Sequence, residues 1–109
     1  MLVYDVVIAG GSISGLLCAR EIASSGHSVL VIEEDFEIGT PEHCGGLVSL
    51  SALDELGVIP SRKTSENQID NAKISSPGGL CFSINSSRQK VLVINRRELD
   101  KQIAHQAQR

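Results

Sequence analysis

The segment Gly10-Gly-Ser-Ile-Ser-Gly15 has the residue types and the spacing that a phosphate-binding turn requires. Gly10 can adopt the backbone conformation of a tight turn, and Gly15 has no Cβ to hold a following helix away from the preceding strand. A helix that begins here presents free N–H groups and a partial charge of about +0.5 to an anion. The segment therefore predicts that the pyrophosphate of a dinucleotide binds at this turn.

Ser12 departs from the usual dinucleotide fingerprint, which has a second glycine at this position. Its Cβ narrows the approach to the backbone and disfavours a positive φ. Serine is nonetheless the smallest polar substitute, and the hydroxyl groups of Ser12 and Ser14 can donate to phosphate oxygens. We therefore interpret Ser12 as tolerated, and assign cofactor binding to Gly10, Gly11, Ser12, Ser14 and Gly15.

Glu33 stands at the end of the second predicted strand, where an acidic side chain accepts hydrogen bonds from the hydroxyl groups of an adenosine ribose. Glu34 and Asp35 follow directly, so a 2′-phosphate on that ribose would meet three carboxylates, which disfavours NADP. A glycine-rich loop then follows, in place of the helix and parallel strand expected of an NAD domain. This combination favours FAD, with Glu33 and Glu34 on its adenosine side.

The elements that would position these residues follow from the hydrophobic pattern. Residues 3–9 and 28–32 are nearly continuous apolar runs, typical of buried parallel strands, and residues 13–25 between them have helical spacing. Residues 3–33 thus predict a right-handed βαβ unit. Further along, the sequence predicts a loop and short helix over 39–57, a polar connector over 61–67, a β-hairpin over 69–84, a polar turn over 85–90, and a strand and helix over 91–108.

The predicted fold class is α/β: a Rossmann-like FAD-binding βαβ unit with a parallel sheet, plus a small antiparallel β-hairpin. The chain of 109 residues stops directly after a helical pattern, with no closing strand. We therefore expect residues 1–109 to be the N-terminal portion of an FAD-binding domain, and an incomplete domain of a two-dinucleotide-fold flavoprotein.

Composition excludes several other classes of protein. The net charge of −3 provides no basic field for a polyanion, so nucleic acid is not an expected partner. No apolar run approaches the about 18 residues of a membrane-spanning helix, which favours a cytoplasmic location. The three cysteines lack CxxC spacing, so no metal site is predicted, and Cys18 and Cys81 are expected to be buried packing residues.

A second segment of interest, Thr40-Pro-Glu-His-Cys-Gly-Gly-Leu47, places the thiol of Cys44 beside two glycines, which permit close approach of a flat ring. With this loop, the sequence resembles the N-terminal part of the geranylgeranyl reductase family of flavoproteins. The resemblance is carried by Tyr4-Asp-Val-Val-Ile-Ala-Gly-Gly11, Glu33, Pro41-Glu-His-Cys-Gly-Gly-Leu-Val-Ser49, Ala52-Leu-Asp-Glu-Leu-Gly-Val58 and Val93-Ile-Asn-Arg-Arg-Glu-Leu-Asp100.

The resemblance implies an FAD-dependent oxidoreductase that reduces isolated C=C bonds of prenyl chains in lipid precursors. Its partners would be a prenylated lipid and an electron donor, and the full-length protein would have a peripheral contact with the membrane. Because family members are several times longer, these 109 residues alone are not expected to catalyse the reaction. The resemblance places the ADP moiety at Gly10, Gly11, Ser12, Gly15 and Glu33, and Arg96 near the cofactor. It places Cys44, Gly45 and Gly46 near the flavin and the substrate channel.

Several alternatives remain open from the sequence. Cys44 is a candidate for positioning or protonating the substrate, or else a small packing residue. His43 is either a proton-transfer group or a solvated loop residue, and Arg96 either contacts the cofactor or pairs with a nearby carboxylate. For the whole protein, the alternatives are a flavin hydroxylase-type monooxygenase, which shares the glycine-rich opening, and a non-catalytic, truncated dinucleotide-binding module.

Overall fold

The computed structural model of the protein describes residues 1–85 and 90–109 and divides into two compact units. Unit 1 consists of Met1–His43 and Arg96–Arg109, and unit 2 consists of Cys44–Asn95. Most of the turn predicted over residues 85–90 lies outside the described residues. The elements in chain order are β1 (Val6–Ala9), α1 (Ile13–Ser24), β2 (Val29–Ile32), β3 (Leu47–Ser49), α2 (Leu50–Glu55), β4 (Ser65–Ile69), β5 (Asn71–Ser75), β6 (Cys81–Asn85), β7 (Val91–Ile94) and α3 (Arg96–Ala107).

Unit 1 contains the predicted βαβ unit. Strands β1 and β2 are parallel, with register from Val6↔Val29 to Ala9↔Ile32, and α1 connects them. The apolar face of α1 buries Leu16 and Ala19, three positions apart, and the helix packs against α3. Leu99 and Ile103, four positions apart in α3, are completely buried, so the two helices share the core of this unit.

The strands of unit 1 are less covered than the sequence predicted. Strand β1 starts at Val6, three residues later than expected, and its side chains alternate between half-buried and exposed, with Val7 57% exposed. The partners Ile8 and Val31 lie on the half-buried face. The expectation of burial on both faces was therefore wrong for the described part of the chain, because α1 packs on only one face of the strand pair.

The N-terminal ends of the two parallel strands are tied together by side chains. The Asp5 carboxylate accepts hydrogen bonds from the Ser28 N–H at 2.7 Å and the Ser28 hydroxyl at 2.8 Å, and the Asp5 N–H donates to the Ser28 hydroxyl oxygen at 2.9 Å. The two Ser28 donors lower the pKa of Asp5 below its ordinary value, backbone N–H first. This link closes the end of the strand pair opposite to the glycine-rich turn.

Unit 2 is built on a three-stranded antiparallel sheet in the order β3-β7-β4. The central strand β7 buries Leu92 and Ile94, and Leu53 of α2 is buried as well. Ser49 caps α2 by accepting a hydrogen bond from the Ala52 N–H at 3.4 Å. Two of these strands were not predicted: β3 was taken as loop, and β4 lies largely in the segment interpreted as a polar connector.

Strands β5 and β6 form the predicted hairpin, paired from Asn71↔Asn85 to Ser75↔Cys81. Every residue of both strands is exposed, including Phe82 at 59%. Cys81 lies on this hairpin and Cys18 on the solvent side of α1, and both are exposed. The expectation that these two cysteines are buried was therefore wrong, since neither faces a packed layer in the described residues.

The helices α1 and α3 have 12 residues each and α2 has six. Within residues 1–85 and 90–109, no helix has the length and apolar character to cross a membrane.

Candidate functional site

The glycine-rich turn lies at the corner between β1 and α1, as predicted. Gly10 has a φ of +108°, a conformation that disfavours any residue with a side chain. Its N–H donates to the Ile32 carbonyl oxygen at 2.7 Å, which ties the turn to the end of β2. The turn is thereby fixed at the carboxyl ends of two parallel strands, where ligands bind in open α/β sheets.

Gly15 is required by the close packing of α1 on this turn. A Cβ at position 15 would lie 2.1 Å from the Gly10 carbonyl oxygen and 3.4 Å from Cγ2 of Ile8. Both the strand and the turn therefore approach the helix backbone directly. This is the packing role that the sequence assigned to the last glycine of the segment.

The Glu33 side chain lies beside the turn. Its Oε2 accepts a hydrogen bond from the Gly11 N–H at 2.7 Å, and its Oε1 accepts one from the Asp35 N–H at 3.0 Å. These N–H groups, Asp35 first and Gly11 second, lower the pKa of Glu33, so the carboxylate is ionised at neutral pH. A Cβ at position 11 would lie 3.0 Å from Oε2 and 3.2 Å from Cβ of Glu33, so a side chain there would crowd this contact. Glu34 is exposed next to it.

Ser12 is the N-cap residue of α1, but its side chain makes no capping hydrogen bond. Ser12 is an exposed residue. Asp100 is only 4% exposed, and its Oδ1 lies 3.4 Å from Nε of Arg96, one helical turn earlier. Burial raises the pKa of Asp100, while Arg96 and the Ser12 hydroxyl oppose that rise.

The burial of Asp100 was not predicted from the sequence. Its position next to Leu99 on the inner side of α3 is the available signal, because a carboxylate within an apolar helix face needs a partner. Arg96 is that partner, so the alternative of an ion pair is the arrangement that Arg96 adopts in this structure.

The loop after Glu33 is fixed on the start of α3. Glu37 forms an ion pair with Lys101, and the Glu42 carboxylate accepts a hydrogen bond from the Arg97 N–H at 3.2 Å. Gly39, with a φ of +81°, allows the backbones to meet, since a Cβ there would lie 2.6 Å from Cα of Arg97. The loop is thus attached to α3.

A cavity of about 590 Å³ lies along β2, α1 and α3, within the usual size range of small-molecule pockets. Its wall is mainly apolar, and Glu33 is part of it. The lining residues include Leu16, Ala19, Val29, Val31, Ile38 and Ala104. Unit 1 therefore combines an ionised acid, a glycine turn and an apolar cavity.

The Cys44 loop belongs to unit 2. Cys44 is an exposed cysteine that forms no disulfide bond, and its sulfur accepts a hydrogen bond from the Gly46 N–H at 3.4 Å. Gly46 is buried with a φ of +78°, and a Cβ there would lie 2.2 Å from the Ile94 carbonyl oxygen. In contrast, Gly45 has no positive φ, and a Cβ at this position would meet no atom of the described residues within 4 Å. The fold therefore requires a glycine at position 46 but not at position 45.

The predicted site residues divide between the two units. Unit 1 contains Gly10, Gly11, Ser12, Ser14, Gly15, Glu33, Glu34 and Arg96, and unit 2 contains Cys44, Gly45 and Gly46. Over the described ranges, no group of three or more His, Cys, Asp or Glu side chains could hold a metal ion.

Comparison with known proteins gives consistent matches along the chain. The family model for FAD dependent oxidoreductases matches residues 5–102. Digeranylgeranylglycerophospholipid reductase 2 of Methanothermobacter thermautotrophicus is 35% identical over 104 residues, and the digeranylgeranylglycerophospholipid reductase of Methanoculleus marisnigri is 32% identical over 107 residues. Each alignment covers 95% of this chain and 27% of the relative, so the chain spans about a quarter of the length of these proteins.

Two solved structures are also similar to this chain along most of its length. A geranylgeranyl bacteriochlorophyll reductase-like protein from Thermoplasma acidophilum superposes with a TM-score of 0.90 at 31% identity, covering 96% of this chain and 28% of that protein. PqsL of P. aeruginosa superposes with a TM-score of 0.73 at 19% identity, covering 96% of this chain and 30% of PqsL, which is a likeness of fold.

Proposed function

Since the chain belongs to the FAD dependent oxidoreductase family, we propose that it is the FAD-binding N-terminal part of an enzyme that reduces isolated C=C bonds of prenyl chains in lipid precursors. The observation that carries this proposal is the ionised Glu33 carboxylate beside the Gly10–Gly15 turn, in a chain about one-third identical to reductases of geranylgeranyl lipids. The fold class and the FAD-dependent family were both predicted from the sequence, and the comparisons confirm them.

The residues of unit 1 fit the ADP half of the cofactor. The turn residues Gly10, Gly11, Ser12, Ser14 and Gly15 would present backbone N–H groups to the pyrophosphate, at the positive end of the α1 dipole. Glu33 would accept hydrogen bonds from the ribose hydroxyls, with Glu34 beside it. A Cβ at Gly10 would meet no described atom within 4 Å, so space remains above the turn.

Arg96 would place a positive charge near the cofactor. Its guanidinium group has five N–H donors, and only Nε is used in the pair with Asp100. The remaining donors suit a phosphate, which guanidinium groups bind well. Arg96 can therefore hold Asp100 and contact the cofactor at once.

The Cys44 loop would contribute to the reducing half of the site. When bound, the flavin supplies a hydride to one carbon of the double bond, and the other carbon needs a proton. We assign to the Cys44 thiol the role of positioning the substrate or holding that proton. Its exposure supports this role over a packing role, because the thiol is accessible.

Gly45 and Gly46 would have different roles. Gly46 shapes the loop on β7, whereas Gly45 leaves open space next to the thiol, which is what the close approach of a flat ring requires.

The substrate and its surroundings belong to the same proposal. A prenylated lipid is the substrate, an electron donor reduces the flavin, and the protein is cytoplasmic with a peripheral contact to the membrane that holds its substrate. The names of the relatives support the lipid substrate. Co-sedimentation of the complete protein with vesicles of geranylgeranylated lipid tests the membrane contact.

The decisive experiment is an assay of the complete protein that carries this sequence. The purified protein should be yellow with FAD, and with dithionite as reductant it should reduce a geranylgeranylated glycerophospholipid, followed by the mass increase of two hydrogens per double bond. A colourless protein would favour a non-catalytic module. Oxygen consumption with an aromatic substrate, without prenyl reduction, would favour a flavin hydroxylase.

Two variants test the Cys44 loop, with a matched glycine as control. Gly45→Ala should keep the fold but reduce turnover about tenfold or more, because the methyl group fills the open space. Gly78→Ala, in the hairpin turn and also without a positive φ, should leave turnover unchanged. Cys44→Ser should keep the FAD content and lose turnover. Unchanged turnover in Cys44→Ser would refute the role of the thiol.

A further inference from the structure

Asp100 is a charged side chain inside the core of unit 1. It is 4% exposed and lies on the inner side of α3 with Leu99 and Ile103, both of which are completely buried. A carboxylate at such a position costs stability unless its interactions compensate for the lost contact with water. Packing alone does not account for a carboxylate here.

The pair with Arg96 compensates only partly for this burial. The Nε–H group of Arg96 donates to Oδ1 of Asp100 at 3.4 Å, whereas strong charge-assisted bonds to a carboxylate oxygen measure about 2.7–2.9 Å. Burial accordingly raises the pKa of Asp100, and the charge of Arg96 only opposes that rise. An apolar side chain of similar size would serve the core of unit 1 as well. Aspartate at this position therefore serves something other than the stability of the unit.

Arg96 is the residue that the carboxylate affects. It is the first residue of α3, and its side chain remains 21% exposed beside the buried Asp100. Asp100 accepts from Nε, so the donors on the terminal nitrogens of the guanidinium group lie beyond this contact. A guanidinium held at one nitrogen keeps its fork of donors in a fixed direction, which a bidentate contact with a phosphate requires.

Ordering the arginine before a ligand binds has an energetic consequence. A long side chain that becomes ordered only on binding loses its rotamer freedom at that moment, which weakens the complex. A buried partner removes this loss, because the side chain is already ordered in the ligand-free protein. Asp100 can have this effect without contacting the ligand, since only 5% of its side chain is exposed.

We propose that Asp100 is a positioning residue for Arg96: by accepting from Nε, it holds the guanidinium so that the terminal N–H groups meet a phosphate of the bound dinucleotide. The inference rests on the proposed FAD binding, in which Arg96 contacts the cofactor. Asp100 itself acts on the cofactor only through Arg96.

The test is a double-mutant cycle on FAD affinity, measured by titrating the FAD-free complete protein and following flavin fluorescence. Asp100→Asn keeps an acceptor oxygen for Nε, whereas Asp100→Leu branches at the same atom and has no acceptor. Both variants are made with Arg96 present and with Arg96→Ala. No corner of this cycle leaves a buried carboxylate without its partner, so unpaired charge does not disturb the comparison.

The cycle should give an effect that depends on Arg96. With Arg96 present, Asp100→Leu should bind FAD about five- to tenfold more weakly than the wild type, as expected when one long side chain must be ordered on binding. Asp100→Asn, the conservative variant, should recover most of that loss. In the Arg96→Ala background the two variants should have equal affinity within about twofold, because no guanidinium remains to be held.

Two further variants complete the test. Asp100→Ala also lacks an acceptor and carries the same cycle if Asp100→Leu does not fold. Glu21→Gln is the matched control, because Glu21 is also paired with an arginine of unit 1: its Oε1 lies 3.0 Å from Nη2 of Arg20, and its side chain is 70% exposed. Loss of the Glu21 carboxylate should leave FAD affinity unchanged.

Three outcomes would overturn the inference while the proposed function stands. If Asp100→Leu and Asp100→Asn differ by the same factor with Arg96 and with Arg96→Ala, Asp100 acts only through the fold. If the two variants bind FAD equally well with Arg96 present, Arg96 needs no positioning. If Asp100→Leu binds FAD more tightly than the wild type, the carboxylate competes with the cofactor for Arg96. Failure of the wild-type protein to bind FAD would instead refute the proposed function, and the inference with it.

Discussion

The substitution Gly15→Ala tests the packing that forms the glycine-rich turn. The added Cβ would lie 2.1 Å from the Gly10 carbonyl oxygen, whereas real Cβ atoms essentially never approach other atoms within 3.0 Å. Because the obstructing atom belongs to the backbone, no side-chain rotation can relieve the clash. Helix α1 must therefore move away from the turn by about 1 Å.

The expected cost follows from two opposing terms. Overpacking of this kind costs roughly 1–3 kcal/mol. Alanine is about 1 kcal/mol more favourable than glycine in a helix interior, and less so at the third residue of a helix. We expect the free energy of unfolding to fall by about 1–2 kcal/mol in Gly15→Ala. FAD binding should suffer more, because a shift of about 1 Å breaks charge-assisted hydrogen bonds worth about 1.5–3 kcal/mol each, so affinity should fall at least about tenfold.

The assay combines thermal unfolding of the FAD-free complete protein with titration of FAD. Gly78→Ala is the matched control: it has no positive φ, and its nearest heavy atom would lie 3.8 Å away, so stability should change by less than about 1 kcal/mol and FAD affinity not at all. Wild-type values for both stability and FAD affinity in Gly15→Ala would refute the account of the turn given above.

Three further predictions concern unit 1. Glu33→Gln should weaken FAD binding severalfold. Because the pKa of Glu33 is lowered, the contribution of this carboxylate to stability is present above about pH 4.3 and is lost as the pH falls. The unfolding midpoints of the variant and the wild type should therefore converge in acid. Asp5→Asn should lower the unfolding midpoint at pH 7 by weakening the link to Ser28. Because the pKa of Asp5 is also lowered, the midpoints of this variant and the wild type should converge below about pH 3.9. FAD affinity should be unchanged, because this link lies at the other end of the strands. Leu99→Ala removes a completely buried side chain and should cost about 2–5 kcal/mol in denaturant unfolding. The interpretation of the Asp5 link would be contradicted if Asp5→Asn lost as much FAD affinity as Glu33→Gln. The interpretation of Leu99 as a core residue would be contradicted if Leu99→Ala lost less than about 1 kcal/mol of stability.

The βαβ unit was predictable because its signals are local. Apolar runs, helical spacing and glycines at the turn occur within 30 positions of one another, and the structure differs only at the ends of the elements: β1 begins at Val6 rather than residue 3, and α1 ends at Ser24 rather than residue 25. The position of Glu33 beside Gly11 follows from the same pattern, because parallel strands bring their carboxyl ends together.

The antiparallel sheet of unit 2 was not predictable in the same way. Strand β4 reads Ser65-Glu-Asn-Gln-Ile69, without apolar alternation, and its hydrogen bonds to β7 come from the backbone, which the side-chain pattern does not report. Strand β3 has only three residues, fewer than any periodicity requires.

The division of unit 1 into two stretches of sequence has a consequence for synthesis. Asp100 leaves the ribosome 88 positions after Ser12, which at about 5–20 residues per second corresponds to roughly 4–18 seconds. During that delay the ribosome translates unit 2, while the nascent glycine turn still lacks α3. Unit 1 should therefore mature last, and a pulse-labelled chain halted before residue 96 should expose α1 to protease.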